Sequence, residues 1–440
     1  MSALLVRGGV LLPMSERATE VRADLLVEDR RIAGIDQAIG APEGATVIDA
    51  SGCFVLPGLV QTHLHLVQTL FRGLAEDLSL LEWLRTRVWP LEAAHDERSL
   101  RASVRLGLAE LLLTGTTTVL DMGTTHGEDV VAEEIARSGI RARFGKAMMD
   151  VGGDVPPRLR EGTRASLEES LALFARWDGA ENGRLGYAFA PRFALSCTRE
   201  LLESVAAAAS EREAIVHTHS NESAEERSLL EVVTGRAPAA YLAEVGLATE
   251  RAVFAHGVHL DESERRLLAE HGTAIAHCPS SNLKLGSGIA DVVSLRREGI
   301  DVGIGADGAA CNNRLDAFVE VRLAALLARR RHGAGALTAQ DALRLATRDG
   351  ARALGLERET GTLDVGKRAD LVVLDAERLA PGGDAATRVV FGGGSCAVRD
   401  VIVDGRVLVR DGGLVDTDIA ELRARAVEEQ TALVARAALA

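Results

Sequence analysis

A closed (β/α)8 barrel of the TIM type, joined to a small β-sandwich built from both chain ends, is the fold this sequence predicts. Three observations carry it. Residues 56–364 repeat the pattern strand, loop, helix, with eight candidate strands. Residues 1–55 and 365–415 instead show short alternating strands and no helix of useful length. A chain of 440 residues with 47% hydrophobic content suits one large α/β barrel with a satellite. A dinucleotide-binding open sheet is set aside, because no glycine-rich GxGxxG opens a helix after the first strand.

Taken in order, Ala3–Leu12 is apolar around Gly8-Gly9, Ala23–Glu28 and Arg31–Ile35 alternate, and Thr46–Ile48 precedes the turn residues Ser51-Gly52. The barrel strands follow as Gly58–His63, Thr116–Asp121, Arg141–Met148, Arg184–Ala190, Ala214–His219, Ala252–His256, Thr273–His277 and Asp301–Ala306. Between them Glu97–Leu113, Ser166–Trp177, Thr198–Glu211, Asp261–Glu270 and Asp316–Arg330 place apolar residues at helical spacing with charges on the other face. Leu66–His95 stands outside this rhythm as a long loop holding Gln68, Arg72, Trp83, Trp89 and Glu92, and loops of that length are most often lids or binding loops. Beyond the barrel, Asp370–Asp375 is a tight apolar strand, and Val398–Val403 joins Arg406–Arg410 through Asp404-Gly405, a pair favoured in two-residue hairpin turns. The two ends are expected to pair into one domain. Residues 416–440 read as a terminal helix with no evident chemistry.

A net charge of −14 argues against a nucleic-acid partner, since such binding draws on basic surface. The five cysteines, Cys53, Cys197, Cys278, Cys311 and Cys396, include no close pair and suggest neither a disulfide framework nor a cysteine metal site. Charges interrupt residues 1–30 throughout, which a signal peptide does not tolerate, and no charge-free run approaches the roughly 20 residues of a membrane span. The expectation is a soluble cytoplasmic protein, a homo-oligomer of two or more chains, acting on a small molecule with neither nucleic acid nor membrane as partner.

The chemistry gathers at strand ends. In Leu56-Pro57-Gly58-Leu59-Val60-Gln61-Thr62-His63-Leu64-His65 the two histidines are spaced i, i+2, which points both imidazoles the same way and lets them grip one ion. His219, His256 and Asp307 end apolar runs of their own, and barrel enzymes place their active sites at those C-terminal ends. Neutral imidazoles with one carboxylate suit Zn²⁺ or Fe²⁺ and leave a position for water, whose pKa the cation lowers towards about 7. That is hydrolytic machinery.

Six stretches together resemble the amidohydrolase superfamily: residues 57–84 (PGLVQTHLHLVQTLFRGLAEDLSLLEWL), 217–223 (HTHSNES), 255–260 (AHGVHL), 277–290 (HCPSSNLKLGSGIA), 305–316 (GADGAACNNRLD) and 361–375 (GTLDVGKRADLVVLD). Within it the chain is similar to cytosine, guanine and adenosine-derivative deaminases and s-triazine hydrolases, and most of all to S-adenosylhomocysteine, methylthioadenosine and 5′-deoxyadenosine deaminases. The resemblance implies that His63, His65, His219 and Asp307 hold one divalent metal, zinc first and iron second. It implies that Glu222 shuttles a proton to the ring, that His256 orients the attacking hydroxide, and that Asp307 doubles as general base. Glu92 matches the residue that grips ribose hydroxyls in nucleoside deaminases. Two features point elsewhere: Arg192-Phe193 and Gln68 look like the purine-binding residues of guanine deaminase. The alternative is therefore a deaminase or chlorohydrolase of a free heterocycle such as guanine, an oxidised purine, a pterin or an s-triazine. A barrel kept only for binding would be expected to lack at least one of these residues. No lysine ends the fourth strand, so a bridged two-metal site is not expected. His217 is expected in the barrel interior beneath the metal, His95, His126, His271 and His332 at the surface, and Cys311 as small packing.

Overall fold

The computed structural model describes residues 3–16 and 20–439. Residues 1, 2, 17–19 and 440, which include the outermost positions of the predicted chain-end elements, lie outside the described residues. Eight parallel strands form the barrel: Leu59–His65, Thr116–Met122, Arg141–Gly145, Leu185–Pro191, Ile215–Ser220, Ala252–His256, Ala274–His277 and Val302–Ile304. Each pairs with the next, and the ring closes where Ile304 pairs with Gln61. Every residue of the first, second and fourth strands is buried, as expected of parallel strands covered on both faces.

Strands from both chain ends share a nine-stranded sheet, in which Cys53–Pro57 pairs antiparallel with Leu371–Asp375 and Leu4–Leu11 carries Thr46–Asp49. The hairpin at Asp404-Gly405 forms, with φ of 52° and 73° at its two residues, as a type I′ turn demands. On this pairing we propose that residues 1–55 and 365–415 fold as one unit beside the barrel of 56–364.

Cys53–Pro57 and Leu59–His65 are two strands in two sheets, parted at Gly58, where the sequence also starts the barrel. A side chain at Gly58 would run into Thr117 of the neighbouring strand, so only glycine lets the chain cross from the end sheet into the barrel here. The segment 66–95 is not a bare loop. It is a succession of short helical turns at Leu66–Phe71, Leu80–Trp83, Leu84–Val88 and Trp89–Ala93.

The two units are welded by charge. Arg141, on the third barrel strand, donates through Nε to Asp370 Oδ2 at 2.6 Å and through Nη2 to Asp404 Oδ1 at 2.8 Å, with Arg141 and Asp370 side chains 1% and 0% exposed. Removing one member leaves its partner charged and dry. Arg141→Met should therefore cost about 3–5 kcal/mol of stability, read as a lower denaturant midpoint. A midpoint within experimental error of the wild type would refute the weld.

Candidate functional site

Five side chains from four strand ends converge at one mouth of the barrel. His63 and His65 leave the first strand, His219 the fifth, His256 the sixth, and Asp307 follows the eighth in a two-residue extension that pairs with Leu64. His256 and Asp307 adopt φ of 80° and 62°, left-handed values that non-glycine residues avoid, and Asn221 beside Glu222 has 55°. Backbone strain of this kind gathers at functional sites.

The donors are aimed by the atoms behind them. His65 Nδ1 lies 2.9 Å from the carbonyl of Met122, His219 Nδ1 2.7 Å from that of Arg192, and His63 Nδ1 2.8 Å from His217 Nε2. A proton on each Nδ1 satisfies these contacts and leaves all three Nε2 lone pairs facing inward. His63 Nε2 is 3.2 Å from Asp307 Oδ1, His65 Nε2 is 3.5 Å from it, and His65 and His219 Nε2 are 3.2 Å apart. Those spacings match the edge of a tetrahedron with bonds of about 2.0–2.1 Å, roughly 3.3 Å. His63 Nε2 is moreover buried with no hydrogen-bond partner. The four side chains fit one divalent metal ion.

Electrostatics agree. Burial first, and His63 second, holds His65 down to about 3, and the same two causes hold His219 well below the ordinary value. Both imidazoles are held in the neutral form that a metal ligand requires. Burial pushes Asp307 up, but the surrounding His63, His256 and His65 outweigh it and keep the carboxylate well below its usual range. Both Asp307 oxygens are pinned, Oδ1 by the Gly308 N–H at 2.8 Å and Oδ2 by Ser281 Oγ at 2.6 Å.

Glu222 has the opposite character. Burial, then Asp307 and Glu226, pushes it well above the ordinary carboxylate value, which favours its protonated form. It directly precedes Ser223, the N-cap of helix Ala224–Thr234. There Glu226 accepts from the Glu222 N–H at 2.7 Å and closes a capping box that fixes the turn. His256 is held neutral by burial, at about 4. Its Nδ1 lies 2.9 Å from Asn282 Oδ1, so its Nε2 lone pair faces Glu222 Oε2 at 3.5 Å and Asp307 Oδ2 at 3.9 Å.

The residues that favoured rival substrates meet in one contact. Arg192 grips Glu92 with Nη1 to Oε2 at 2.5 Å and Nη2 to Oε1 at 3.0 Å, and Gln68 Nε2 donates to Glu92 Oε1 at 3.0 Å. Arg192 and Glu92 side chains are each 4% exposed. Gly308 admits this arrangement, because a side chain there would strike the Gln68 amide oxygen. Phe193 pairs by its backbone with His219 and faces the same cavity, which Leu80, Trp83 and Leu84 cover. Only about 30 Å³ in it is open to the centre of a water molecule.

His217 sits beneath His63 as expected, and Cys311 is buried. His95 is a correction. It is buried rather than superficial, its Nε2 2.9 Å from Val67 O and its Nδ1 2.9 Å from Ser99 Oγ, because the returning end of segment 66–95 folds back on its start. Ser281 and Asn282 carry no role in the sequence reading, although both lie in the stretch 277–290 that bears the resemblance.

Residues 54–408 match the amidohydrolase family. The chain is 39% identical to a 5-methylthioadenosine/S-adenosylhomocysteine deaminase of Halobacterium salinarum, over 99% of each chain. Among solved structures it is similar to an adenosine deaminase from Xanthomonas campestris with bound zinc, with TM-score 0.92, 32% identity and 99% of each chain covered. It is also similar to the zinc-complexed atrazine chlorohydrolase of Arthrobacter aurescens TC1, with TM-score 0.91 and 27% identity over 97% of this chain and 100% of that one.

Proposed function

Because the chain belongs to the amidohydrolase family and is a hydrolase acting on C–N bonds, we propose that it deaminates adenosine-type purine nucleosides. The class includes 5′-deoxyadenosine, methylthioadenosine and S-adenosylhomocysteine. The observation that carries the chemistry is the juxtaposition of the His63, His65, His219 and Asp307 donors with the buried carboxyl of Glu222, whose proton burial favours. The full-length likeness to a methylthioadenosine/S-adenosylhomocysteine deaminase supports the substrate class. Free thiols at all five cysteines fit a reducing cytoplasm.

His63, His65, His219 and Asp307 would hold one divalent metal, zinc by preference, and such an ion bound there makes a water molecule acidic enough to attack at neutral pH. The remaining work belongs to the chain. Asp307 takes a proton from the attacking water, and His256 orients that water through its free Nε2. Glu222 donates its proton to the ring nitrogen beside the attacked carbon, so the ring can lose aromaticity without building a negative charge. Asp307 then passes its proton to the amino group, the C–N bond breaks as the new hydroxyl gives its proton back to Glu222, and ammonia leaves with a neutral oxo-purine as co-product. Water and the amine supply every atom.

A second reading has a specific observation behind it. Glu92 already accepts from Arg192 twice and from Gln68 once, so a ribose diol must displace part of that set. An exocyclic oxygen of a guanine-like base would instead meet Arg192 and Gln68 as they stand. Ammonia release measured on protein of known metal content, across the adenosine derivatives, guanine and an s-triazine, separates the two. Adenosine derivatives should exceed guanine by about 10²-fold or more in kcat/KM. Turnover of guanine without turnover of 5′-deoxyadenosine would overturn the nucleoside assignment.

A further inference from the structure

Segment 66–95 carries Gln68 at one foot and Glu92 at the other, and the two touch. Helix Ile419–Ala437, more than 300 residues away in sequence, holds both feet from outside the barrel. Gln430 Nε2 donates to the carbonyl of Leu70 at 2.7 Å and reaches that of Arg72 at 3.4 Å. Arg436 donates through Nε to the carbonyl of Ala94 at 2.9 Å and through Nη2 to Ser99 Oγ at 3.0 Å, with Nη1 3.2 Å from Asp96 Oδ2.

These carbonyls lie at the C-terminal ends of the turns Leu66–Phe71 and Trp89–Ala93. The last carbonyls of a helix lack internal partners, and a cation there also meets the negative end of the helix dipole. The same face of the terminal helix buries Ala426 and Leu433 in an apolar cluster with Leu70, Phe71 and Trp89. Ala426, Gln430, Leu433 and Ala437 follow the spacing of a single helical stripe.

Between the feet, Leu80, Leu81, Trp83 and Leu84 share that apolar cluster, but among the described residues no side chain of the terminal helix hydrogen-bonds to residues 73–88. Gly73 has φ of 77° with open space around it, and the chain beyond it brings Leu80, Trp83 and Leu84 over the cavity. Typical ligand pockets run from roughly 300 Å³ upward, far more than the space left here, so a nucleoside enters only if this cover moves.

We propose that the terminal helix is a clamp, in which Gln430 and Arg436 are positioning residues that keep Gln68 and Glu92 in place while the cover between Gly73 and Val88 opens. The substrate-facing half of this rests on the assignment of Gln68 and Glu92 given above. The clamp itself does not. Amide hydrogen exchange of full-length wild type, Gln430→Ala/Arg436→Ala and an Arg425→Ala control on the same helix tests it without any substrate. The double variant should lose protection at residues 66–72 and 90–95 while the barrel strands keep theirs, and the control should match wild type.

On whichever substrate the wild type turns over, the double variant should raise KM roughly tenfold with kcat within about threefold. Arg436→Lys, which keeps a cation near Ala94, should restore part of that. Unchanged exchange at both feet, or protection lost evenly across the barrel, would overturn the clamp. Unchanged KM with loosened feet would leave the clamp standing and remove Gln68 and Glu92 from substrate contact.

Discussion

An Asp307→Ala protein should fold, emerge from purification with almost no divalent metal, and lose about 10⁴-fold or more in kcat/KM, because one side chain is asked both to hold the ion and to move protons. Wild type should carry close to one zinc or iron per chain by elemental analysis. The fold should survive, since Asp307 is anchored by Ser281 and Gly308 at the mouth of the barrel and not in its packed interior. Asp307→Asn keeps size and shape but removes the charge, and it should be as inactive. His63→Ala should lose the metal too, since its Nε2 is the buried donor with no partner in the protein. A second tightly held metal per chain would count against the site described. Lys146, which follows the third barrel strand, is spoken for: its buried Nζ lies 2.5 Å from Glu161 Oε1 and 2.6 Å from Glu169 Oε2.

The grouping of His63, His65, His219 and Asp307 was legible because each residue announces itself locally. His63 and His65 sit at strand spacing, and His219 and Asp307 each close a short apolar run. The barrel was legible for a similar reason, since alternation of apolar strands with amphipathic helices is a short-range pattern. Contacts between distant residues left no such trace. Nothing near Glu92 says that Arg192, 100 positions on, will seize its carboxylate, and nothing near Leu70 names Gln430, 360 positions on. The strand start at Gly58 was legible, but only the neighbouring Thr117 reveals why glycine is required there. His95 looked solvated because it follows a segment without obvious periodicity. Its burial comes from the fold of segment 66–95 upon itself, where Val67 and Ser99 receive both ring nitrogens.

The Glu92–Arg192 pair turns a choice between two substrates into a measurable coupling. Glu92→Ala and Arg192→Ala should each lower kcat/KM for adenosine derivatives by about 10²- to 10³-fold, because either truncation strands a buried charge, a cost of about 3–5 kcal/mol. Neither single variant can therefore assign the substrate, since both readings predict damage from both. The double variant Glu92→Gln/Arg192→Gln removes both charges together while keeping polar side chains of similar reach. Groups in direct contact give strongly non-additive effects, so the double variant should lose much less than the sum of the two singles. How much activity returns, and on which ligand, makes the distinction. If Glu92 accepts the ribose hydroxyls, a neutral amide in its place is a poorer acceptor, and adenosine derivatives should stay at least about tenfold below wild type even with the stranded charge gone. If Glu92 serves only to aim Arg192, the loss should instead be confined to bases bearing an exocyclic oxygen, and adenosine derivatives should return to wild-type rates.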